Sequence, residues 1–100
     1  MANEIKENAL GALASKLLIA GDENRLRILC LIFKDKKVCV SKIAEALNMS
    51  VASASHHLQS LARAGFLEPE RTGKQVCYLL VKSRFNNDLK KFICRNNPLT

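Results

Sequence analysis

One hundred residues give the length of a single domain, with a core small enough that a shared dimer surface is a natural source of added stability. A hydrophobic content of 48% excludes a disordered tail, and 25% charged residues is ordinary for a soluble domain. The charge balance is less ordinary: 16 Lys and Arg against 9 Asp and Glu leave +7 and a pI near 9.5, which suits an acidic polymer and, taken alone, also an anionic membrane surface.

The opening run, MANEIKENAL, carries acids and no continuous apolar core, so it does not read as a secretory leader. No apolar run reaches the roughly 18–20 residues of a membrane span. A cytoplasmic address is expected, where Cys30, Cys39, Cys77 and Cys94 are reduced and form no structural disulfide framework. Their spacings do not resemble CxxC, and no metal and no cofactor are expected.

From Glu4 to Ala20, residues Ile5, Ala9, Leu10, Leu13, Leu17 and Leu18 fall close to helical spacing. Gly21 stops that helix and Asp22 is placed to cap the next, Glu23 to Phe33, which is apolar on nearly every side and must be enclosed. Lys34 to Lys37 reads as a charged loop and Val38-Cys39-Val40 as one short edge strand. Ser41 offers an N-cap to a helix ending near Leu47. After a turn at Asn48-Met49, Ser50 caps a helix running to Ala64. On it Val51, Ala54, Leu58 and Leu61 are spaced for burial, with Ala52, Ser53, His56, Gln59 and Arg63 largely opposite. Gly65 ends it. Phe66 to Val81 then reads strand–turn–strand, turning at Arg71-Thr72-Gly73-Lys74. A last helix, Arg84 to Arg95, aligns Phe85, Leu89, Phe92 and Ile93, and Pro98 prevents its extension.

The predicted class is therefore mainly α with a small β-hairpin, in the order α-α-β-α-α-β-β-α. Two short helices joined by about three residues form a helix-turn-helix, whose second helix enters the major groove of DNA. The outward face of Ser50–Ala64 is small and hydrogen-bonding, so backbone and base edges can approach. Arg71 and Lys74 beside Gly73 make the hairpin tip a basic wing for the phosphate backbone or minor groove. The expected organisation is one winged helix-turn-helix domain over 1–100.

The segment from about Ile19 to Leu80 resembles the ArsR/SmtB-type repressors. The resemblance rests on Asn24-Arg25-Leu26-Arg27-Ile28-Leu29 and on Val40-Ser41-Lys42-Ile43-Ala44-Glu45-Ala46-Leu47. It continues through Ser55-His56-His57-Leu58 with Leu61, Ala64 and Gly65, and through Gly73-Lys74-Gln75-Val76-Cys77-Tyr78. It implies a homodimer through the first and last helices that presents two recognition helices to an imperfect palindrome in double-stranded DNA. Family contacts carried over by position fall on Ser50, Val51, Ala52, Ser55 and His56. With Ser53, Gln59, Arg63, Arg71 and Lys74 these make up the expected DNA-binding set. Val51 stands where the family often has Gln, so it either meets a thymine methyl or is largely buried. Adjacent His56 and His57 point about 100° apart on a helix and do not converge on one ion.

The resemblance also bears on the signal. Zinc-type members carry Asp and His on the last helix, where this chain has no His. Lead-, cadmium- and arsenic-type members carry Cys-Val-Cys where this chain reads Cys39-Val40-Ser41, one thiol short. Redox- and persulfide-responsive members, the haemolysin-activator type among them, pair one cysteine in the second helix with one in the last. Cys30 and Cys94 match those contexts, which implies a dithiol sensor for a low-molecular-weight oxidant or sulfur species. Cys77 is expected to be structural, and Cys39 either structural or an incidental surface thiol. Two other readings stay open: a soft-metal sensor using Cys39, and a winged-helix protein-interaction module without DNA binding. No carboxylate pair, nucleophile–base motif or phosphate-binding glycine loop points to an enzyme.

Overall fold

Local sequence punctuation decides most of the element boundaries. The computed structural model describes residues 7–96; Ile5 and Pro98, both used above, lie outside them. The helices are α1 (Glu7–Ala20), α2 (Glu23–Asp35), α3 (Val40–Ala46), α4 (Val51–Arg63) and α5 (Arg84–Asn96), and the strands are β1 (Lys37–Cys39), β2 (Leu67–Thr72) and β3 (Gln75–Leu80). This is the expected order and a winged helix-turn-helix fold.

Asp22 caps α2 as expected, accepting the Arg25 backbone N–H at 3.0 Å. The helix runs two residues beyond Phe33 and stops where Lys36 turns into the left-handed region at φ +68°. Ser50 caps α4 through the Ser53 N–H, also at 3.0 Å. Gly65, at φ +89°, turns the chain out of α4 into the hairpin, a conformation in which a side chain is strained.

The sheet is antiparallel in the order β1-β3-β2. Pro69 is therefore on an edge strand, where its missing N–H costs no ladder bond toward an inner neighbour. Gly73, at φ +63°, supplies the positive dihedral that a two-residue hairpin turn between Thr72 and Gln75 requires.

Two sequence readings need correction. The strand expected at Val38–Val40 lies one residue earlier, and α3 starts at Val40 with Cys39, not Ser41, in the N-cap position. The reason is tertiary: Cys39 is held in extended backbone opposite Cys77 in the ladder, so the chain passes directly from strand to helix. The cysteines are also not all free. A disulfide joins Cys39 to Cys77, whose Cα atoms face each other 3.7 Å apart. Thiol chemistry dictated by compartment alone had left this bond out.

The core gathers around α2. Ile28, Leu29, Ile32 and Phe33 meet Ile43 of α3, Ala54, Leu58 and Leu61 of α4, Phe66 and Tyr78 of the wing region, and Ile93 of α5. Burying each large side chain is worth about 1.5–3 kcal/mol, which fixes α4 against the sheet and α2 as one unit. A polar anchor completes the packing. The fully buried Asn86 of α5 donates its amide to the carbonyls of Phe66 at 3.1 Å and Val81 at 2.6 Å, tying α5 to both ends of the hairpin. In the same region the Lys16 ammonium of α1 lies 4.6 Å from the centre of the Phe85 ring and 5.5 Å from that of Phe66.

Candidate nucleic-acid interface and thiol groove

The amphipathic spacing of α4 sends Ala54, Leu58 and Leu61 into the core and leaves the first turn of the helix projecting from the body. Ser50, Ala52 and Ser53 are exposed there, His56 and Gln59 are exposed in the turns that follow, and Ser55 is half-buried. Val51, expected on the buried face, is instead 58% exposed, because the start of α4 extends past the core that its later turns cover. Of the two roles considered for Val51, burial is thus excluded. The Ser50 hydroxyl accepts from Ser53 N–H, and its own proton stays available for a further acceptor. Gln59 donates to the Ser55 hydroxyl at 3.1 Å, which orders two neighbouring groups on one face. Together these residues form a surface of small side chains and paired donors and acceptors at a helix N-terminus, where free backbone N–H groups also favour an anion.

The remaining sequence candidates lie elsewhere. Arg63 is exposed at the far end of α4, beside Ser15 and Lys16 of α1, about 18 Å along the helix axis from Val51. Arg71 and Lys74 are exposed on the hairpin, Lys74 in its turn and Arg71 two residues before Gly73. Sequence reasoning passed over the exposed Lys42 on α3, the first helix of the pair, and Thr72 and Gln75 flanking the hairpin turn. The signal for Lys42 was present: it is the only cation on α3, and the first helix of such a pair crosses the phosphate backbone.

His56 and His57 diverge, as the helix geometry requires. Their rings are 6.0 Å apart and tilted, His56 exposed and His57 half-buried with Nδ1 enclosed and lacking a hydrogen-bond partner. Among the described residues no group of three or more His, Cys, Asp or Glu side chains is arranged to hold a metal ion.

The second feature is a groove of about 1170 Å³ between α2 and α5, closed at one end by Leu17 and Ala20 of α1. Cys30 and Cys94, both free and half-buried, line it from opposite helices. Burial pushes the Cys30 thiol above its ordinary range, and the Cys94 thiolate adds to the shift. Beside the groove an apolar stripe stands in solvent: Leu10, Leu13, Leu17 and Leu18 of α1, with Leu18 77% exposed, and Phe92 of α5 at 58%. No helix among the described residues is long and apolar enough to cross a membrane.

Comparison with known proteins agrees with this architecture. Residues 22–68 match the family model for bacterial regulatory proteins of the arsR family. The cadmium resistance transcriptional regulatory protein CadC of Listeria innocua is 38% identical over 69 residues, covering 69% of this chain and 58% of that protein. The chain thus spans less than two thirds of the length of that relative. The HTH-type transcriptional regulator MJ1325 of Methanocaldococcus jannaschii is 34% identical over 70% of this chain and 79% of its own length. Among solved structures, reduced HlyU from Vibrio cholerae superimposes with a TM-score of 0.81 at 25% identity, covering 93% of this chain and 96% of HlyU.

Proposed function

The chain belongs to the arsR family of bacterial regulatory proteins, and on that premise we propose that it is a sequence-specific DNA-binding transcriptional regulator working as a cytoplasmic homodimer. The observation that carries this reading is the uncovered face of the first two turns of α4, from Ser50 to His56, on a protein of net charge +7. Ser50, Val51, Ala52, Ser53, Ser55, His56 and Gln59 meet base edges and adjacent phosphates. Arg71 and Lys74 hold the flanking backbone, and Arg63 adds long-range attraction. The leucine stripe of α1 with Phe92 of α5 is the dimer surface, since a contiguous exposed apolar face on a small domain marks a protein contact.

The switch is the Cys30–Cys94 pair. A low-molecular-weight persulfide transfers its outer sulfur to Cys94 and leaves as a thiol. Cys30, which burial keeps protonated, then loses its proton and attacks the Cys94 sulfur, releasing hydrogen sulfide and closing a disulfide. Closing the groove draws α5 toward α2, and Asn86 couples that movement to the hairpin. A tenfold loss of DNA affinity needs only about 1.4 kcal/mol of such coupling.

Selection of duplexes from a random pool by the reduced protein, followed by anisotropy titration, tests the reading. His56→Ala is expected to weaken binding tenfold or more with the fold unchanged by circular dichroism, and affinity falls steeply with salt. Unchanged binding by His56→Ala and by Ser53→Ala together would remove α4 as the reading helix.

A further inference from the structure

We infer that Cys39 and Cys77 form a second, separate redox couple, a cross-strand dithiol that exchanges with low-molecular-weight disulfides and ties the helix-turn-helix to the wing. The two residues are direct partners in the β1–β3 ladder. Alternation fixes their side. Val38, Val76, Tyr78 and Leu80 pack into the core, so Cys39 and Cys77 share the opposite face of the sheet with Lys37 and Leu79. On that face the Lys37 ammonium reaches from β1 over β3 to the Glu70 carboxylate of β2 at 2.5 Å, and Glu70 is the register partner of Cys77. Cys77 is accordingly 1% exposed, while Cys39 at the end of the edge strand is half-buried.

This asymmetry assigns the steps. In the oxidising direction the Cys39 thiolate attacks the low-molecular-weight disulfide and expels one thiol. Cys77 then loses its proton and attacks the Cys39 sulfur, expelling the second thiol, so that two protein thiols and one disulfide become one protein disulfide and two small thiols. In the reducing direction a small thiolate enters at Cys39, the accessible sulfur, and Cys77 leaves and takes up a proton. The position matters because Cys39 is also the N-cap of α3 and makes no side-chain capping bond there. The ladder and this bond, with the core packing of Val40 and Ile43, fasten the start of α3 to the sheet. The loop the bond closes, 38 residues in sequence separation, contains both α3 and α4. Two donors without a third ligand group among the described residues suit oxidation better than holding a metal ion.

The test uses the full chain with Cys30→Ser and Cys94→Ser, equilibrated at graded ratios of reduced to oxidised glutathione. The expected result is one reversible transition in intact mass, a loss of two hydrogens, with peptide mapping joining Cys39 to Cys77. The oxidised form melts roughly 10 °C or more above the reduced form, and reduction speeds hydrogen exchange at Val38 and Val40 at least tenfold. Separate glutathione adducts on Cys39 and Cys77, no oxidation at any ratio, or a bond that no glutathione ratio opens in the folded protein would each overturn the inference. Should the double variant fold poorly, the same mapping on the unmodified chain decides between these outcomes. None of the readouts involves DNA, so failure here and failure of the regulator reading are distinguishable.

Discussion

Cys94 stands across the α2–α5 groove from Cys30, near enough for its thiolate to add to the burial that already holds the Cys30 proton. The larger cause is burial, and this ordering makes a specific expectation. Cys94→Ser removes the second cause only, so the pH midpoint for alkylation of Cys30 by iodoacetamide falls but stays above that of a small free thiol. A raised folded pKa also contributes stability below the ordinary thiol pKa that is lost as pH rises through the folded value. Cys30→Ser is therefore expected to flatten the alkaline decline in stability. A Cys30 midpoint that Cys94→Ser leaves unmoved would show that the two groups do not sense each other.

Asn86 gives a stability prediction free of thiols. Its amide holds two carbonyls at the hairpin ends while its own Oδ1 is buried without a partner. Asn86→Ala takes the side-chain donor from the Val81 carbonyl and leaves the Phe66 carbonyl with the Val81 N–H alone, at a cost of about 1–3 kcal/mol in urea unfolding. Because the bonds join α5 to the hairpin, exchange at the first turn of α5 and at Val81 rises more than exchange in α2.

What could be read from residues alone divides along the same line between local and long-range causes. Ser50, Gly65 and Gly73 are local signals, and they delimit α4 and the hairpin because caps and positive dihedrals act within a few residues. Ser41 was a cap signal too, yet α3 starts earlier because Cys39 answers to a strand 38 residues away. The same distance hid the Cys39–Cys77 bond: register between β1 and β3 is set by tertiary packing, which a window along the chain does not contain. For Val51, helical spacing correctly identified the face and missed where the core ends. Asn86 falls outside the Phe85, Leu89, Phe92 and Ile93 alignment that spacing identifies on α5; its burial depends on the Phe66 and Val81 carbonyls at the ends of a hairpin. The DNA-facing set shares this limit, since spacing names the outward residues of α4 but not the separation between Arg63 and the first turn.

Leu18 probes the dimer surface. It is the most exposed of the large apolar side chains on α1, and Leu18→Glu places a charge in the stripe without touching the core. Sedimentation is expected to show the dimer dissociation constant rising at least tenfold, with the far-ultraviolet spectrum retained. Binding to a two-half-site duplex then falls to that of a single half-site. A variant that sediments as the unmodified chain does would mean that the stripe faces something other than a second copy.

Asp22 connects a helix cap to pH. Its carboxylate accepts the Arg25 backbone N–H, and that bond first, with the Arg25 and His57 charges also favouring the anion against partial desolvation, holds the group below the ordinary carboxylate range. A depressed folded pKa means the stabilisation is present above the unfolded carboxylate value and is lost as pH falls through the folded one. Asp22→Ala is expected to cost about 1 kcal/mol at neutral pH. The difference from the unmodified chain should shrink as pH falls below the ordinary carboxylate range and the native carboxyl also takes up its proton. Asp22→Asn separates the two contributions: it keeps the acceptor for Arg25 N–H and carries no charge, so its stability should lie between the others and its deficit should likewise narrow in acid. A deficit for Asp22→Ala that stays constant down to acid pH would assign the whole effect to the neutral capping bond and none to the charge.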